Sequence, residues 1–182
     1  MSYKAWLVVA VAAFAIGILS GLAAPANLAA LLEQDLRALQ ELGSTLSPFH
    51  ITTALFIYLK NASVLLFSFA LGPLFLLFPL LVLVVNGWVI AVVSVEVVKQ
   101  ASLAYLLTGI LPHGVVEIPA LLLGEAAAFS FGSTLILAFF RRENRAQLRP
   151  AVRRSLRYLL VALILFLPAA VIETYLTPWL LG

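Results

Sequence analysis

The sequence predicts an all-α fold, a polytopic transmembrane helix bundle of about five spans, and three observations lead there. The 182 residues are 64% hydrophobic and 10% charged, whereas a soluble domain is roughly half apolar and a quarter charged. Mean hydropathy is +1.13, more apolar surface than a globule of this length hides from water. The apolar residues also fall in runs long enough for the roughly 30 Å hydrocarbon core, which about twenty helical residues cover. There are no cysteines, which excludes disulfide frameworks, thiolate metal sites and cysteine nucleophiles.

Residues 1–182 read as a single transmembrane domain. The first span is Ala5 to Ala24. Its start, with Lys4 and then Ala24-Pro25-Ala26, imitates a signal peptide, but we read it as a span. Ala13, Gly17 and Gly21 recur every four residues and make one face small. Such a face suits either packing inside the bundle or a homodimer seam; a homodimer is expected, through this face or the span-four region. From Asn27 to Leu42 the leucines keep helical spacing while Glu33, Asp35, Arg37 and Glu41 fall between them, the pattern of an outer amphipathic helix. The apolar run from Ile51 to Val98 is twice one span and must fold back; Gly72-Pro73 is the natural turn. This gives spans at 51–71 and 74–98. Leu103 to Leu111 is too short to cross and reads as an interfacial or re-entrant piece, because Pro112 disfavours helix at Leu111. The fourth span is 115–140, and the fifth, 159–181, contains Pro168 and ends near Trp179.

Arg141, Arg142, Arg145, Arg149, Arg153, Arg154 and Arg157 crowd the connection between the last two spans. Positive-inside bias puts that connection in the cytoplasm. The five-span count then places the N-terminus inside, the acidic helix and the C-terminus outside, in a plasma membrane. These arginines are expected to meet anionic lipid. They lack the interleaved aromatics and folded domain of a nucleic-acid site, so no nucleic-acid partner is expected.

Residues that lipid should exclude carry the functional signal: Lys60, Asn61, Asn86, His113, Glu117 and Glu125. A charge at a span centre costs about 3 kcal/mol on insertion scales, so each needs a partner or water. His113 and Glu117 are one helical turn apart and can share a proton or a metal. Ala120, Gly124 and Ala127 make their face small and inward. Pro112 and Pro119 withdraw backbone donors, and the carbonyls so freed beside a carboxylate can hold a cation. Glu125 lies deeper, where it could pair with Lys60 or face a neighbouring subunit. His50 marks the start of span two at the outer interface and reads as a solvated interfacial histidine, with joining the His113–Glu117 pair as the alternative. The ion is expected to be a divalent metal such as zinc, or a monovalent cation, or protons. An enzyme is not expected: there is neither HExxH nor Gly-x-Ser-x-Gly, and a catalytic zinc usually takes three protein ligands.

The stretch Leu111-Pro112-His113-Gly114, with Glu117 and Pro119, resembles the signature of the stage II sporulation protein M family of integral membrane proteins; Asn61 and Asn86-Gly87 extend the resemblance. It implies five spans over nearly the whole chain, with Pro112, Gly114 and Pro119 as motif backbone. It also implies a candidate role as a membrane scaffold recruiting envelope-remodelling partners. Two readings therefore stand: a cation or proton site on His113, Glu117 and Glu125 supported by Lys60, Asn61 and Asn86, or a non-catalytic scaffold in which the same groups only hold the bundle together.

Overall fold

A computed structural model describes residues 2–24, 47–74, 76–141 and 145–182. The amphipathic helix expected at 27–42, and Arg142, lie outside the described residues. Among the described residues the protein is all-α, with five helices long and apolar enough to cross a membrane. The helices in chain order are α1 (Tyr3–Leu22), α2 (Ile51–Leu71), α3 (Leu77–Gln100), α4 (Leu103–Phe140) and α5 (Arg145–Val171), the fifth span running from Leu148 in α5 on to Leu181. A π-helical turn, Ile172–Leu176, joins α5 to the short α6 (Thr177–Leu181).

α4 is the axis of the bundle and packs against every other described helix. The contacts fix the directions. Asn61 meets Glu117, Ser68 meets Glu125, and Gly72 meets Ala128, so α2 runs parallel to α4. α5 and α6 return antiparallel to α4, with Arg145 at Ala138 and Leu181 at Gly109. α1 and α3 run parallel, joined where Gly17 lies on Val84 and Gly21 on Trp88 and Ala91. α1 is tied to the axis by the Tyr3 hydroxyl, which donates to the Leu123 carbonyl at 2.8 Å, and by Trp6 stacked on Phe129 at 5.3 Å. One end of the bundle carries the α2–α3 turn and the arginines, the other the chain around His50 and Ser102.

Three expectations are corrected. Leu103–Leu111 is not a separate piece ending at Pro112 but the first part of α4, a continuous helix of 38 residues that includes Pro112 and Pro119. Ser102 starts it by accepting the Tyr105 N–H at 3.1 Å. α6 packs along this segment, and a proline removes one donor without removing the tertiary contacts that hold its helix. Second, the arginine segment from Arg145 is helical and continuous with the last span. Third, α3 begins at Leu77, three residues later than expected, because Gly72, Pro73 and Leu74 form the turn that precedes it. Of the two readings of the small face of α1, packing within the chain is the one observed: Gly17 and Gly21 lie against α3.

Candidate cation site

His113 and Glu117 project from the same side of α4, one turn apart, into the junction of α2, α4 and the π-turn. There they meet a residue that the sequence reading had not singled out, Glu173. One ligand atom from each of the three lies within 4.8 Å of the others, and all three side chains are half-buried. Asn61 of α2 donates from Nδ2 to Glu117 Oε1 at 3.0 Å. His113 Nδ1 and the Thr177 hydroxyl are 3.5 Å apart. Lys60, exposed at the margin, is within electrostatic range of His113, Glu117 and Glu173. The cluster lies at mid-height of α2, as Asn61 is midway between Ile51 and Leu71.

The local sequence explains why Glu173 points here. Pro178 has no N–H to give the Thr174 carbonyl, and its ring would crowd that oxygen in a regular helix. The chain widens into a π-turn over Ile172–Leu176, closed by the Thr177 N–H on the Ile172 carbonyl, and the Thr174 carbonyl accepts the Phe49 N–H at 3.2 Å instead. Single π-turns recur at functional sites because the extra residue re-aims a side chain. Phe49 meets this contact with a φ of 63°, a costly conformation for an aromatic residue.

The remaining sequence-predicted residues are placed apart. Glu125 is fully buried two turns nearer the arginine end; its partner is Ser68, whose hydroxyl donates to Oε2, and not Lys60. Its Oε1 has no hydrogen-bond partner among the described residues. Ser68→Ala removes the hydroxyl partner of a buried carboxyl and is expected to cost about 1–3 kcal/mol, read as a lowered melting temperature in detergent. Asn86 donates to the Val82 carbonyl of its own helix at 2.7 Å and sits on α3, away from the cluster. His50 is exposed and precedes α2. Pro112 and Pro119 flank the pair, so the Thr108 and Val115 carbonyls lose their ordinary donors within α4. Gly114 is buried beside Ile110, whose side chain a Cβ would approach to 3.4 Å. Arg141, Arg145, Arg149, Arg153, Arg154 and Arg157 are all exposed.

Five apolar helices around a partly buried polar cluster define a multi-pass helical membrane protein. The chain belongs to the stage II sporulation protein M family, whose sequence model matches residues 8–178. It is similar to two uncharacterized proteins of Methanocaldococcus jannaschii. One is 29% identical over 140 residues, which cover 76% of this chain and 62% of the relative. The other is 30% identical over 97 residues, covering 53% of this chain and 54% of the relative. The chain thus spans between about half and two thirds of the length of these curated relatives. No solved structure matches it significantly.

Proposed function

We propose that this membrane protein binds a divalent metal cation within the bilayer, with His113, Glu117 and Glu173 as ligands and a role that depends on that binding. The observation that carries the reading is the convergence of one imidazole and two carboxylates to within 4.8 Å at the middle of a spanning bundle. A tetrahedral zinc with bonds of about 2 Å holds its ligand atoms roughly 3.3 Å apart, a spacing that small side-chain rotations reach from here. Mixed imidazole and carboxylate ligation suits zinc or manganese. Two carboxylates balance the divalent charge, and each then has the partner that a charge in lipid requires. Asn61 orients Glu117 as outer-shell groups orient metal ligands. Glu173 also removes the ligand-count objection to a metalloenzyme, although the neighbouring groups, Asn61, Thr177 and Lys60, do not form a recognisable catalytic set.

The geometry favours binding over conduction. Toward the arginine end Leu65 lies over Gly124, and Leu65, Ala126, Ala127 and Ala128 are each 0% exposed, which closes that side of the junction. In the membrane the arginine end faces the cytoplasm, which puts both chain ends of the described structure, at Ser2 and Gly182, on opposite sides. Arg153, Arg154 and Arg157 then meet anionic lipid headgroups.

The scaffold reading has one observation in its favour, the Asn61–Glu117 bond that clasps α2 to α4. The two separate in one experiment. Purified protein in nanodiscs, dialysed against zinc or manganese, is expected to retain about one metal per chain. Glu117→Gln keeps the oxygen that Asn61 contacts, and is expected to lose the metal while melting near the metal-free wild type. Wild-type protein that retains neither metal, or a variant that retains it fully, refutes the site; a large loss of stability without metal in either form supports the scaffold.

A further inference from the structure

We infer that a second copy of this chain covers the Lys60 side of α2, so that the polar junction is closed only in a two-fold dimer. Lys60 is exposed nine residues into a helix whose nearer end is Ile51, about 14 Å away at 1.5 Å per residue. A lysine stem reaches roughly 6 Å, so the ammonium cannot snorkel to the interface from that depth. A charge held in lipid at mid-span is costly, and such groups face protein or water. Among the described residues the ion pair is Lys99–Glu96 at 3.6 Å, and Lys60 is in none.

The chemistry beside Lys60 identifies the occupant. The half-buried Glu117 and Glu173 lie within electrostatic range of it, so the patch carries both signs side by side. A two-fold axis through such a patch sets Lys60 of one copy against the partner's Glu173, and the reverse, which is the self-complementarity an isologous interface needs. Around the lysine the outer face of α2 is large and apolar, with Phe56 at 53% and Phe67 at 64% exposed. The small-residue face of α1, a seam that the sequence suggested, is already filled by α3. The inference requires no bound ion and goes beyond the metal reading.

The chain has no cysteine, so single-cysteine variants carry no background. In proteoliposomes at high lipid dilution and with chelator present, Ser63→Cys and Phe67→Cys on the outer face of α2 are expected to oxidise to covalent dimers. Leu19→Cys, 65% exposed on α1, is expected to stay monomeric. Exclusively monomeric α2 variants, or dimers formed equally through Leu19, overturn the inference. The charges supply a second arm. Lys60→Glu and Glu173→Lys are each expected to be monomeric alone and to form a mixed dimer when co-reconstituted, because both contacts are then restored. If either variant fails to fold, the cysteine arm decides; if both fold and the mixture stays monomeric, the two-fold contact is wrong.

Discussion

Replacing Glu173 with alanine is expected to weaken metal binding by more than about 100-fold, the largest effect of any single change in the cluster. Loss of an outer-shell partner typically costs 10–100-fold in metal affinity, and that is the range expected for Asn61→Ala, which frees Glu117 without removing a ligand. Glu173→Ala removes one of three ligands and leaves an imidazole and one carboxylate on a single helix. Two ligands do not fix a tetrahedral centre. Competition with a fluorescent zinc chelator in nanodiscs reads all three proteins on one scale. The π-turn adds a sharper form of the test. Pro178→Ala restores an N–H that can reach the Thr174 carbonyl, so the turn can tighten to regular α-helix; the register change of one residue swings Glu173 about 100° around the axis. Affinity should then fall although all three ligands remain in the sequence. An affinity equal to wild type in Glu173→Ala would remove Glu173 from the site, and an unchanged Pro178→Ala would detach the π-turn from its placement.

The two changes also mark where sequence reasoning stopped. The spans were legible because lipid tolerates only long apolar helices, and a run such as Ile51 to Val98 has to turn where Gly72-Pro73 allows it. The His113–Glu117 pair was legible because both residues lie on one helix, one turn apart. Glu173 was visible by the same rule that singled out Glu117, a carboxylate in an apolar span, but its partners come from α4, and no spacing within span five reveals them. Its aim depends on Pro178, whose effect runs backward to the Thr174 carbonyl. Ser68 was invisible for a different reason: a serine in a spanning helix satisfies itself on its own backbone, as Ser63 does on Leu59 at 2.6 Å, so nothing distinguished the one that meets Glu125. At Leu103–Leu111 local preference pointed the wrong way. The restriction before proline is a bias of the isolated chain, and contact with α6 outweighs it.

Gly17→Ala and Gly87→Ala are expected to be among the most destabilising substitutions of a single carbon at the described residues. Gly17 and Gly21 are four residues apart on one face of α1, and that face lies directly on the backbone of α3. A Cβ at Gly17 would overlap the Val84 carbonyl, and one at Gly87 would overlap the Phe14 carbonyl. Both obstacles are main chain in the middle of a helix, which cannot rotate away as a side chain can, so the helices must separate along their length. The lost contact includes Leu83, Phe14 and Ala91, buried at 0%, 6% and 3% exposure. An effect above about 4 kcal/mol is exceptional for one substitution and is expected here because relief requires moving a whole spanning element. Gly109→Ala is the control: its Cβ would meet only the Leu181 side chain, at 4.0 Å, and removal of a glycine from a helix interior is worth roughly 0.5–1 kcal/mol in the stabilising direction. Thermal unfolding followed by size exclusion should therefore order the proteins with Gly109→Ala at or above wild type and the two seam variants far below. A Gly17→Ala protein that melts with the wild type would mean that α1 and α3 are not in contact there. In that event the small-residue face of α1 is free to meet another copy, and the case for α2 as the dimer surface weakens with it.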